Sequence, residues 1–265
     1  NMDLELSGKS ALVTGSTAGI GFAIARGLAR EGARVIVNGR SEERVGRAID
    51  AIKKKHGSAD IQGFVGDLSS ADVAAKLTAL HKDLDILINN LGIFEPKPFV
   101  EITDQEWTHF FEVNVLSGVR LSRFYLPRML KKDWGRIIFI SSESAVQIPP
   151  EMIHYGMTKT AQLAVSRGLA ELTAGTGVTV NTVLPGPTAS EGVSEFVDQL
   201  AKREKQSAAE FEKQFFEKMR PTSLLKRFAS TEEVANLVVY VSSGAASATN
   251  GAALRADGGV IRSIV

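Results

Sequence analysis

Short apolar runs alternate with longer helical patterns along the chain. Runs rich in β-branched residues stand at 11–14, 34–38, 61–65, 86–89, 136–141, 178–184 and 252–255. They are continuously apolar rather than alternating, the pattern of strands covered on both faces of a parallel sheet. Between them the spacing predicts helices over 21–31, 42–56, 71–81, 104–131 and 155–174. Two helix starts carry capping boxes, Thr103 with Glu106 and Ser230 with Glu233, each pair satisfying orphan backbone donors reciprocally. Repeated β-α-β units with right-handed crossovers imply an α/β fold: a Rossmann-type doubly wound parallel sheet with helices on both faces, three layers α/β/α. No repeat, low-complexity tract or linker divides the chain, so 1–265 reads as a single domain.

One stretch breaks the rhythm. From 190 to 221 no strand is expected, but there are two amphipathic patches, Phe196, Val197 and Leu200, then Phe211, Phe215 and Met219 at i, i+4, i+8. Its charges are mixed, which fits either a solvated pair of surface helices or a lid over a site.

Composition narrows the function. The chain is 44% hydrophobic and 23% charged, a balance that builds a sizeable core. A net charge of +1 gives no field to recruit nucleic acid or an anionic membrane. With no cysteine and only four scattered histidines, thiolate metal sites, disulfides and cysteine nucleophiles are excluded. Residues 2–9 are mixed polar and no run approaches the roughly 20 apolar residues of a membrane helix. The expectation is a cytoplasmic enzyme with a small-molecule substrate.

The first chemical motif directly follows the first strand: Thr14-Gly15-Ser16-Thr17-Ala18-Gly19-Ile20-Gly21. Glycines there permit a tight turn and close approach of backbone to a pyrophosphate, and the helix that follows offers free N–H groups and a positive dipole end. The spacing Gly-x-x-x-Gly-x-Gly resembles that of the short-chain dehydrogenase/reductase family, including its 3-oxoacyl-ACP reductase members. Its other motifs follow in order.

The resemblance implies a nicotinamide cofactor held by Gly15, Ser16, Thr17, Gly19, Ile20 and Gly21. Asp67 and Leu68 would meet the adenine, and Asn89 and Gly92 come from an Asn89-Asn90-Leu91-Gly92 segment in which Leu91 replaces the family's alanine. Pro185, Gly186 and Thr188 would lie beside the nicotinamide. At the end of the second strand an NAD enzyme usually keeps a carboxylate for the ribose 2′-hydroxyl. Gly39 stands there and Arg40 follows, a guanidinium suited to a 2′-phosphate. This favours NADP(H). NAD(H) stays open, because Arg40 could instead pair with Glu42 or Glu43.

Tyr155 and Lys159, four apart at a helix start, lie on one face. Ser142 follows a strand 13 residues upstream, at the sheet edge where such folds bind ligands. With Asn114 these match the family's four catalytic positions. The family's chemistry explains them: Tyr155 as acid or base, Lys159 lowering its pKa from about 10 and holding the nicotinamide ribose, Ser142 hydrogen-bonded to the substrate oxygen, Asn114 anchoring backbone and a water. Ser141 would face away, and His154 is expected to face solvent or substrate. Glu143 could line the site, without an assigned role.

The expectation is therefore an oxidoreductase acting on a ketone or secondary alcohol. A helical substrate lid would span about 189–222, because that segment follows the nicotinamide-binding turn. Family resemblance further implies a homo-oligomer, tetramer or dimer. A different reading, a non-catalytic NAD(P)-sensing regulator, is disfavoured by the intact tyrosine and lysine.

Overall fold

The computed structural model describes residues 3–57, 59–190 and 207–264. The apolar runs form β1 (Ser10–Val13), β2 (Arg34–Gly39), β3 (Ile61–Val65), β4 (Ile86–Asn89), β5 (Gly135–Ile140) and β6 (Val178–Pro185). After a short parallel pair, β7 (Thr188–Ala189) and β8 (Ala229–Ser230), the chain adds β9 (Ala253–Ala256). Seven of these make one parallel sheet in the order β3-β2-β1-β4-β5-β6-β9.

The helices are α1 (Gly19–Arg30), α2 (Glu42–Lys55), α3 (Ala71–Leu80), α4 (Asp104–Phe111), α5 (Ser117–Lys131), α6 (Ile153–Glu171), α7 (Ala208–Lys218) and α8 (Thr231–Val241). Alternate strand residues point to opposite faces, which divides the core in two. Ala11, Val13, Val35, Val37, Ile86, Ile88, Ile138 and Ile140 pack with Ile24 and Leu28 of α1, Ile52 of α2, and Val234 and Val238 of α8. Leu12, Ile36, Leu87, Ile137 and Phe139 pack on the other side with Leu77 of α3 and Leu121, Tyr125 and Met129 of α5.

Three expectations need correcting. The single helix over 104–131 is broken by a π-helical turn at Glu112–Leu116, which separates α4 from α5. Within 190–221 the second amphipathic patch forms α7, but Phe211 and Phe216 are its buried phenylalanines, and Met219, past the helix end, is 43% exposed. Met219 was expected on the buried stripe because the i, i+4, i+8 count ran beyond the last helical turn. The patch at Phe196, Val197 and Leu200 lies outside the described residues. The short strands β7 and β8, which bracket this region, were not expected. Among the described residues no helix is long and apolar enough to cross a membrane.

Candidate active site

Parallel strands bring all their carboxyl ends to one edge, and the order turns back between β1 and β4, where such sheets open a crevice. A cleft of about 620 Å³ lies at this edge, lined by Gly15, Thr17, Ala18, Gly39, Arg40, Asp67, Leu68 and Gly92 among others.

The loop after β1 is shaped by its glycines. Gly15 and Gly19 both hold φ +58°, in the left-handed region. A Cβ on Gly21 would meet the Asn90 amide and lie 2.5 Å from the Gly15 carbonyl oxygen, so only glycine lets α1 start this close. Ala18 caps α1 without a side-chain bond, and the first turn carries no acidic residue. Its N–H groups and dipole end therefore face the cleft without a competing side chain, as an anion site requires.

Several residues expected to touch a cofactor are turned elsewhere. The Ser16 hydroxyl donates to Val13 O at 2.7 Å and accepts from Asn38 N at 2.9 Å, while its own amide donates to Asn38 O at 2.8 Å. Ser16 builds the turn and offers neither group to a ligand. Asn89 points at α5, donating to Ser122 Oγ at 3.2 Å. Leu68 buries its side chain in the core and is among the residues at the edge of the cleft. Asn90 has a role that was not foreseen: its amide donates to Thr14 O at 2.9 Å and Gly15 O at 3.0 Å, tying the β4 loop to the β1 loop. Its place in the doubled asparagine was the available signal.

Ile20 sits half-buried in the first turn of α1, and Asp67 caps its own loop by accepting from Ser69 N at 3.0 Å. Pro185 ends β6, and a Cβ on the next residue, Gly186, would fall 2.5 Å from the Asp257 carbonyl oxygen. The buried Thr188 hydroxyl donates to Gly186 O at 2.9 Å.

The four residues expected to carry the chemistry meet at the ends of β4 and β5. Ser142 Oγ accepts from Ser144 N at 3.1 Å and stands close enough to the Tyr155 phenol to favour its charged form. Lys159, one turn along α6, donates to Ile140 O at 3.0 Å and lies 5.6 Å from the Tyr155 ring centre. Asn114 sits in the π-turn, where its carbonyl accepts from Ile93 N at 2.8 Å and its amide donates to Ile93 O and Thr158 Oγ1, both at 3.0 Å. A Cβ at Gly92 would lie 3.3 Å from Lys159 Nζ and 3.5 Å from Asn114 Oδ1, so glycine leaves a cradle over both. Ser141 donates to Lys159 O at 2.9 Å and is structural.

Burial dominates the electrostatics. It pushes the Tyr155 phenol up to about 12, against the nearby Ser142 hydroxyl and the charge of Arg220, with Glu143 adding to the rise. Burial also brings the Lys159 ammonium down to about 8. In the ligand-free site desolvation outweighs the groups that favour the phenolate, so the phenol stands above its ordinary value. His154 was expected at solvent or substrate. It is buried instead, 4.1 Å from Phe110 and 5.9 Å from Trp107 by ring centres, which anchors α6 on α4.

Beside Ser142, Glu143 is paired with Arg220, which lies just beyond α7, at 2.8 Å, with side chains 4% and 11% exposed. Only a carboxylate next to the serine motif hinted at this, since the partner is 77 residues away. Among the described residues no cluster of acidic groups and histidines could hold a metal ion.

Residues 9–201 match the family model for short chain dehydrogenases. The chain is 52% identical over 263 residues to the uncharacterized oxidoreductase YvaG of Bacillus subtilis (strain 168), covering 99% of this chain and 100% of that one. It is 33% identical to the 3-oxoacyl-[acyl-carrier-protein] reductase FabG of Aquifex aeolicus (strain VF5), over 98% and 100% of the two chains. The structure of L-sorbose reductase from Gluconobacter frateurii, complexed with NADPH and L-sorbose, superposes with a TM-score of 0.94 at 30% identity, covering 99% and 100%.

Proposed function

Because the chain belongs to the short-chain dehydrogenase family, oxidoreductases of alcohol and carbonyl groups that use NAD(P)(H), we propose that it transfers hydride between NADP(H) and a ketone or secondary alcohol through Asn114, Ser142, Tyr155 and Lys159. The observation that carries this reading is the convergence of four groups: Lys159 Nζ 5.6 Å from the Tyr155 ring, Asn114 held on Ile93 and Thr158, and Ser142 beside the phenol.

When bound, a nicotinamide would supply the hydride that the carbonyl carbon takes up in reduction. Tyr155 gives its phenolic proton to the oxygen, and in oxidation it takes that proton back. Ser142 donates a hydrogen bond to the same oxygen, which strengthens as negative charge develops there. Lys159, an ammonium below about pH 8, replaces the proton on Tyr155. Asn114 clamps the backbone at Ile93 and so fixes the wall opposite Lys159.

The cofactor would be held at its phosphates by residues 17–20, at the adenine end by Asp67 and the Leu68 backbone, and at the nicotinamide end by Gly92, Gly186, Thr188, Tyr155 and Lys159. The cradle over Gly92 supports the fit. Preference for the phosphorylated cofactor rests on Gly39 and Arg40. Any side chain at 39 would run into Thr17, which bars the carboxylate NAD enzymes use. Among the described residues Arg40 makes no ion pair with Glu42 or Glu43. Its charge acts on Asp67 across the cleft, and Arg44 lines the same wall.

We read 189–222 as the substrate lid within one domain; its described part is α7, with β7 before it. The half-exposed edge strand β9 supports a homo-oligomer, tetramer or dimer. The test of the catalytic reading is NADPH consumption against a panel of ketones. Tyr155→Phe is expected to cut turnover by roughly 10²–10⁴-fold while NADPH still binds. Undiminished turnover would remove Tyr155 from the mechanism.

A further inference from the structure

Two large apolar side chains stand open beside the reacting tyrosine and belong to neither core cluster: Phe94 is 49% exposed and Ile148 42%. Single exposed apolar residues are ordinary on a protein surface. These two are set apart by what they touch. The Phe94 ring meets the Tyr155 ring edge-on, with centroids 6.2 Å apart and planes at 66°. Ile148 fills the space left by the missing side chain of the next residue, Gly156. A Cβ there would lie 2.8 Å from Ile148 Cγ2 and 3.2 Å from Cδ1. Tyr155 itself keeps part of its surface open. All three side chains can therefore be reached from outside.

Both loops that carry this surface are pinned. Before Phe94, the N–H and carbonyl of Ile93 are bonded to Asn114 at 2.8 and 3.0 Å. After it, Lys97 N donates to Glu151 O at 2.9 Å, and Lys97 Nζ pairs with Glu106 at 2.5 Å. The turn that leads to Ile148 is tied to α6 by Thr160 Oγ1, which donates to Ala145 O at 2.7 Å. None of this buries the two side chains, so it does not serve the core. A fixed apolar surface serves recognition instead: covering it is favourable, and little conformational entropy remains to be lost. Because Asn114 clamps the residue before Phe94, the ring is also held in register with the catalytic groups.

We propose that Phe94 and Ile148 determine substrate specificity: they form the wall that takes one arm of the ketone, which makes ketones with a long alkyl or an aryl arm the preferred substrates. An aliphatic chain loses its contact with water there, and a phenyl ring packs on Phe94. A hydroxylated arm would give up hydrogen bonds to water and gain none from these side chains. In the oxidative direction the same wall selects the corresponding secondary alcohols. The inference rests on the reading of Tyr155 as the group that meets the carbonyl oxygen.

The experiment compares butan-2-one, octan-2-one and 1,3-dihydroxyacetone as substrates, with NADPH binding followed separately by its fluorescence. The wild type is expected to favour octan-2-one over butan-2-one by roughly a hundredfold in kcat/KM for the four added methylenes, with dihydroxyacetone poorest. Phe94→Ala and Ile148→Ala are each expected to cut that ratio by about tenfold with NADPH binding unchanged. Phe94→Leu, which keeps an apolar side chain, should retain most of it. A wild type that does not discriminate, or that prefers dihydroxyacetone, overturns the proposal without any variant. So does a folded alanine variant whose ratio is unchanged. That is the result if the side chains only brace Tyr155, which would slow both ketones alike, or if a second copy of the chain covers them. If NADPH binds but no ketone is reduced, the oxidoreductase reading of the site falls instead, and this proposal falls with it.

Discussion

Lys159 loses its proton within the range in which enzymes are assayed, because burial brings its ammonium down to about 8. If the ammonium recharges Tyr155, kcat/KM for ketone reduction falls as pH rises through about 8, and Lys159→Arg, which cannot give up a proton, loses reduction at every pH. A pH–rate profile decides it, and a reductive rate that stays level through that window denies Lys159 the role. The same group has a defined effect on stability. Its folded pKa lies below its unfolded value near 10.5, so between about 8 and 10.5 the unfolded chain binds more protons and this residue makes stability rise with pH. At the far end of the cleft, Arg40→Ala is expected to weaken NADPH binding roughly 10–100-fold, the loss of one charge-assisted bond of about 1.5–3 kcal/mol. NADH binding should hardly change, and equal losses for both would place Arg40 outside 2′-phosphate recognition.

Between elements, close approach replaces chemistry. The turn after α5 meets the start of β6 where Gly177 donates to Asp133 Oδ1 at 2.8 Å, and a Cβ on Gly177 would fall on the Asp133 backbone carbonyl. Gly177→Ala should therefore cost about 1–3 kcal/mol, a melting shift of roughly 2–4 °C per kcal/mol in a chain of this size. NADPH affinity should be unaffected, since this junction is at the opposite end of the strands from the cleft. Such junctions are where sequence reading stops. The inner sheet strands were legible to within a residue because buried strands are apolar with little interruption, while the edge strands β3 and β9 are partly exposed and carried only a short β-branched or small apolar run. The glycine loop, Gly39, Ser142, Tyr155 and Lys159 were legible because their spacing along one segment sets their geometry. Ser16 and Asn89 misled because a motif gives position but not direction: each points into the protein to satisfy a partner on another element. The Glu143–Arg220 pair was hidden for the converse reason, since two charges far apart in sequence carry no mutual signal until the turn after α7 meets the turn after β5. The burial that raises Tyr155 is likewise a property of the packed site, absent from any single stretch.

Taken as a whole molecule, the residues proposed to hold the cofactor come from the ends of β1, β2, β3, β4 and β6, on both sides of the reversal in strand order. A ligand bridging them and absent from the unfolded chain adds about 2.7 kcal/mol at a hundredfold excess over its Kd. NADPH should accordingly raise the melting temperature by roughly 5–10 °C, and NADH at the same concentration by less. Equal shifts in a thermal scan would remove the preference for the phosphorylated cofactor. The π-turn at Glu112–Leu116 carries a consequence of another kind. One surplus residue in an α-helix advances its angular phase by about 100°, so α4 and α5 are a single screw cut and rejoined out of step. Deleting one residue there would restore an unbroken helix and leave the composition of the site untouched. It would also rotate Asn114 off Ile93, or else swing Trp107 and Phe110 away from His154. The aim of one side chain is thus stored as a count of residues, and a helix made more regular there would be a worse part.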